Sequence, residues 1–128
     1  YFFNFIISNF LLLIGFFLAG CSKDDWMAKY YLYQAENAYS KAYSLRVKPG
    51  AEADRARHYQ KAHDYFLKAY SIGPKFFTLT KIEQAYDTCL RLEDQPNAEL
   101  FRQFGAEYAA AHPKEVEYGD VTGMGGLE

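Results

Sequence analysis

KAHDYFLKAYSI, residues 61–72, repeats a pattern that QAENAYSKAYSL, residues 34–45, has already used. The two segments align without gaps: Ala35 with Ala62, Tyr39 with Phe66, Lys41 with Lys68, and Ala42-Tyr43-Ser44 with Ala69-Tyr70-Ser71. Self-similarity of this kind marks repeated supersecondary units. Ala62 and Ala69 stand seven positions apart, as Ala35 and Ala42 do, and so share a helix face. Two methyl groups there let a neighbouring helix approach closely, and the aromatic between them fills the groove beside the contact.

Chain breakers divide the sequence around these segments. They fall at Lys48-Pro49-Gly50, Gly73-Pro74 and Gln95-Pro96-Asn97, with Pro113 closing the series. The intervals predict helices over 25–46, 52–72, 76–93 and 97–112, with Asp24 or Asp25 capping the first and Asn97 the fourth. Apolar stripes at helical spacing run along the last three: Tyr59, Ala62, Tyr65, Phe66, Ala69 and Ile72; Leu79, Ile82, Ala85, Tyr86 and Cys89; Ala98, Phe101, Phe104, Gly105 and Tyr108. The first is rich in Ala and Tyr on more than one face. The expected fold is all-α, about four helices joined as antiparallel α-hairpins.

The second segment resembles the tetratricopeptide repeat. That family's second helix carries Ala, an aromatic four positions on, Ala three further on, and Pro five after that; Ala62, Phe66, Ala69 and Pro74 stand at these places. The preceding helix lies beyond the family's usual distance, because Val47 to Glu52 reads as an insertion into the turn. In the next unit Ile82 and Tyr86 match large residues of a first helix, but Glu83 replaces the usual small one. Pro113 is kept, while Gly105 and Tyr108 stand where an aromatic and an alanine belong. The likeness covers residues 26–113 and implies packed hairpins whose surface binds peptides or helices of other proteins.

Residues 1–22 carry no side-chain charge, and Phe10–Ala19 form an unbroken apolar run. A run this short suits a signal peptide better than a membrane span, which needs roughly 20 apolar residues. Asn4, Ser8 and Asn9 interrupt the longer count back to Tyr1. Leu18-Ala19-Gly20-Cys21 then resembles the bacterial lipobox. The resemblance implies that residues 1–20 are a signal peptide, that Cys21 carries diacylglycerol on sulfur, and that 21–24 form a short tether to a helical domain over 25–113. No Met and no basic residue precede the apolar run, so the start of the chain is expected upstream of Tyr1. An uncleaved anchor is the alternative; either tethers the domain to a membrane. Ser22 after the cysteine resembles the signal for sorting to the outer membrane, facing the periplasm.

A net charge of −2 with no basic block excludes ordinary nucleic-acid binding. Cys21 and Cys89 make no disulfide framework, and Cys89 within an apolar stripe reads as a buried thiol. His58 and His63 are five apart and do not share a helix face as a metal pair needs, and His112 ends a helix; no metal and no cofactor beyond the covalent lipid on Cys21 is expected. Asp24-Asp25 and Glu93-Asp94 sit at helix ends, where capping explains them. No catalytic set and no phosphate-binding loop are present in the sequence, so no enzyme is expected.

Aromatics near the start of the domain are the binding candidates. In YYLY, Tyr31 points about 100° from Tyr30 and about 160° from Tyr33 on a helix, so Tyr30, Tyr31 and Tyr33 do not share one core face. Tyrosine is enriched at interfaces. Trp26 and Met27 open the helix only a few residues after Cys21, where a membrane contact is expected, packing into the core being the alternative. Residues 114–128, polar with four glycines, are expected to be flexible. The chain thus reads as a lipid-anchored periplasmic scaffold serving protein partners in envelope assembly. The alternative is a lipoprotein that binds a small ligand or a peptidoglycan fragment through surface tyrosines.

Overall fold

The computed structural model describes residues 23–118. The expected signal peptide over 1–20 with Leu18, Ala19 and Gly20, the lipidation expected at Cys21, and residues 119–128 of the tail lie outside the described residues. Five α-helices follow in order: α1 Lys23–Ser44, α2 Glu52–Ile72, α3 Leu79–Arg91, α4 Gln95–Ala111 and α5 Pro113–Tyr118, with a 3-10 turn Pro74–Phe76 between α2 and α3. The described chain is all-α.

The first hairpin is built on small residues. Ala28, Leu32, Ala35, Ala38 and Ala42 are the buried residues of α1, and Tyr59, Ala62, Phe66 and Ala69 those of α2. Side chains this short bring the helix axes close, and the tyrosines pack along the seam. Tyr31, early in α1, lies 5.8 Å from Tyr65, and Tyr39, later in α1, lies 6.0 Å from Tyr59. The order reverses between the helices, so they run antiparallel. The turn between them passes through Gly50 in the left-handed region (φ +78°), where glycine carries no Cβ penalty.

Helix ends depart from the sequence expectation at several points. α3 starts at Leu79, capped by Thr78, and not at 76, because Pro74–Phe76 form a 3-10 turn and Phe77 is extended. α1 is already helical at Lys23, the first described residue, so Asp24 and Asp25 lie within it, where acidic groups complement the dipole, and do not cap it. α4 is capped by Asp94, whose carboxylate accepts from the Asn97 amide at 3.3 Å; Asn97 sits inside the first turn, after Pro96. Pro113 does not close the helical series: it opens α5, so the expected flexible tail is helical from 114 to 118. The Tyr108 hydroxyl donates to Glu115 at 2.6 Å and ties α5 back to α4.

Phe77 joins the two hairpins. It is extended (φ −71°, ψ 133°), 2% exposed, and its ring lies between 5.6 and 6.3 Å from those of Phe66, Tyr70, Phe101 and Phe104. Gly73, just before, is also buried; a Cβ there would meet the Cβ of Ala28 at 3.0 Å. Glycine therefore allows the 3-10 turn to lie directly on α1.

Candidate functional site

Trp26, Tyr30 and Tyr33 follow one another at i, i+4 and i+7 and so lie along one stripe of α1. All three face solvent, at 67%, 43% and 61% exposure. Trp26 and Tyr30 stack with centroids 5.7 Å apart and planes within 10°. Tyr31 is half-buried, its ring tilted 5.7 Å from that of Tyr30 and 5.8 Å from that of Tyr65, with the Lys68 ammonium 5.7 Å away. Of the three tyrosines singled out in the sequence, Tyr30 and Tyr33 form the exposed face and Tyr31 belongs to the hairpin seam. Met27 is half-buried on another side of the helix.

Around the stripe's lower end, cations gather on a further aromatic. The ammonium groups of Lys29 and Lys75 each lie 5.1 Å from the Phe76 ring, and Lys75 pairs with Asp25 at 3.5 Å. This pole of the domain therefore combines exposed indole and phenol rings with lysine ammonium groups, a composition suited to a membrane–water boundary. Ala62, Phe66 and Ala69 are buried in the core, whereas Pro74 is exposed and lines a groove with Tyr70, Leu100, Phe104 and Glu107.

A second constellation joins α2 to the second hairpin. His63 on α2, Cys89 near the end of α3 and Asp94 at the N-cap of α4 bring their ligand atoms within 4.8 Å of one another. His63 Nε2 donates to Asp94 Oδ2 at 2.6 Å and Nδ1 donates to Asp64 Oδ1 at 3.0 Å. Burial works against a charged imidazole here, but the two carboxylates outweigh it and hold His63 above its ordinary pKa. The hydrogen bonds from the Asn97 side chain and from His63 keep the Asp94 carboxyl below the usual range. Cys89 is 1% exposed, and burial together with the Asp94 charge pushes its thiol up to about 12. A protonated, buried thiol is a poor nucleophile.

Sequence reasoning separated these three residues and expected no metal; the fold gathers them. His63 and Asp94 are 31 positions apart, and only the packing of α2 against the α3–α4 connection joins them. The legible signal was limited to Cys89 lying on the core stripe of α3 with Asp94 just beyond its end. Glu93 takes a left-handed backbone (φ +57°) between them, turning Asp94 back towards the thiol's end of the helix.

Comparison with known proteins gives no match to a family model, to a curated protein or to a solved structure. Among the described residues no helix is long and apolar enough to cross a membrane.

Proposed function

We propose that the chain is a membrane-tethered periplasmic adaptor, with hairpins of the tetratricopeptide kind, that holds a protein partner of the cell envelope along the outer face of α1. The observation that carries the reading is the exposed Trp26–Tyr30–Tyr33 stripe. Seven positions of helix make a line about 10 Å long. Large amphipathic rings set along a helix are the residues that anchor protein interfaces, and a partner helix laid alongside would cover all three. The glycan alternative is less well supported. The stripe runs along a single convex helix, a shape that a partner helix laid alongside matches better than a sugar ring does.

Tethering rests on the lipobox likeness and on distance along the chain: the chain is already helical at Lys23, two residues after Cys21. Two experiments test the reading. Metabolic labelling with a lipid precursor is expected to mark the wild-type chain and to miss Cys21→Ser, which should stay uncleaved; labelled, cleaved Cys21→Ser would remove the lipoprotein. A photoreactive residue in place of Tyr33 in the full chain is expected to crosslink one envelope protein in living cells. That crosslink should vanish when Trp26 and Tyr30 are both alanine. Muropeptide binding by the purified chain, with no stripe-dependent crosslink, would turn the assignment to the glycan class.

A further inference from the structure

We propose that His63 Nε2, Cys89 Sγ and an Asp94 carboxylate oxygen bind a zinc-class divalent cation, with solvent in the fourth position. Three separate elements supply the ligands, and their atoms already lie within 4.8 Å of one another. A tetrahedral ion with ordinary Zn–N, Zn–O and Zn–S bonds would hold such atoms roughly 3.4–3.6 Å apart. His63 Nε2 and Asp94 Oδ2, 2.6 Å apart, would have to open by roughly 0.8 Å to admit the ion, while the thiol draws in. His63 and Asp94 retain 14% and 23% side-chain exposure, which leaves an entry path and room for a water ligand.

The surrounding groups match what such a site needs. A metal-bound imidazole donates its other N–H to a carboxylate, and Asp64 Oδ1 stands 3.0 Å from His63 Nδ1. The Gln60 amide donates to that same Asp64 oxygen at 3.0 Å and steadies it. On the other flank Asn97 Nδ2 donates to Asp94 Oδ2 at 2.7 Å, so the second carboxylate is also oriented. Cys89 is the independent pointer. Among the described residues no hydrogen bond engages its thiol, although a histidine nitrogen and a carboxylate lie beside it.

The donor set also selects the ion. Imidazole plus thiolate favours zinc, cobalt and their neighbours over magnesium or calcium, which prefer oxygen throughout. On binding, the Cys89 S–H bond breaks and its proton leaves to solvent while the metal–sulfur bond forms. The proton shared by His63 Nε2 and Asp94 leaves as the metal–nitrogen bond forms. No electron transfer is involved.

The test is a cobalt titration of the full chain in detergent after chelator treatment. Thiolate-to-cobalt charge-transfer absorption is expected to saturate at one ion per chain and to be displaced by Zn²⁺. Cys89→Ala should remove the charge-transfer band. Asp64→Asn, which touches no proposed ligand bond, should weaken binding about ten- to a hundred-fold. Asp94→Asn keeps a good helix cap and should weaken binding while far-ultraviolet circular dichroism stays helical. It therefore keeps the test open if Cys89→Ala fails to fold. Absence of the band from the wild-type chain at excess cobalt overturns the site. So does unchanged affinity in Asp64→Asn and Asp94→Asn, which would place any bound ion elsewhere.

Discussion

The Tyr39 hydroxyl on α1 donates a 2.9 Å hydrogen bond to Asp87 Oδ2 on α3, and Arg91 Nε holds the same oxygen at 2.8 Å. Arg91 in turn lies 5.2 Å from the Tyr59 ring of α2. One carboxylate thus links both helices of the first hairpin to the second. Apolar packing joins the hairpins at Phe77; this polar link fixes their register at the other end.

Tyr39→Phe is expected to destabilise the fold by about 1 kcal/mol, since it deletes one partly buried hydrogen bond and leaves Asp87 paired with Arg91. The pH dependence separates this from a packing loss. Burial, then the hydrogen bond to Asp87, raise the Tyr39 pKa above its ordinary value. A raised folded pKa means the contribution is fully present below the unfolded value of about 10 and is lost as pH climbs through the folded one. Urea unfolding at pH 8 and pH 11 should therefore show a steeper alkaline loss for wild type than for Tyr39→Phe. Equal losses would remove the hydrogen bond from the account.

The alanine seam predicts overpacking. Ala62 and Ala69 are fully buried at the contact of α1 with α2. Enlarging either to leucine should cost about 1–3 kcal/mol, a large share of the stability of so small a domain. Thermal melts of Ala62→Leu and Ala69→Leu are the check, and an unchanged midpoint in both would disprove the close approach of the helices.

Gly73 makes a sharper test of the same closeness. Its φ of −156° lies outside the left-handed region that favours glycine, so the contact made by an added Cβ is what alanine there would test. The added Cβ would stand 3.0 Å from the Ala28 Cβ and from the Phe76 ring. Gly73→Ala should lower the melting midpoint through this clash, and a second change, Ala28→Gly, should recover part of it. A Gly73→Ala melt equal to wild type would mean that the 3-10 turn stands off α1.

Much of this architecture was legible because helical periodicity is a local property. The paired alanines and Phe66 carry their own register, and the positions of the four long helices follow from the breakers. Caps were less legible. Asp94 and Asn97 are both good capping residues three positions apart, and Pro96 between them was read as a breaker when it also favours the first turn. Phe77 falls inside the third expected helix, 76–93, but off its apolar stripe; it lies instead in an extended connector before Leu79, where no period marks it as core. Of the tyrosines in YYLY at least one had to be exposed; Tyr30 and Tyr33 are, and Tyr31 is half-buried. The His63–Cys89–Asp94 constellation was not legible. Its distances depend on how two hairpins pack, which no stripe on a single helix records.

Trp26 is the one tryptophan of the chain and lies outside the core, so its fluorescence reports on α1 alone. Two residues after Cys21 the chain is already helical, and three further helical steps reach Trp26. Two extended steps and three helical ones span at most about 12 Å. With the proposed lipid on Cys21 in the bilayer, the indole sits within reach of the headgroups, beside Tyr30 and the lysines at Phe76. Exposure of 67% means that emission from the unlipidated chain in buffer should be that of a wetted indole, since no core packing shields it. The lipidated full chain in vesicles should shift its emission to the blue and be quenched by brominated lipid. Lys29→Glu and Lys75→Glu should reduce the quenching in vesicles containing anionic lipid and leave it unchanged in neutral ones, because only the former attract those ammonium groups. Emission that stays wetted and unquenched in both kinds of vesicle would show that α1 stands away from the membrane and keeps its whole stripe for the protein partner.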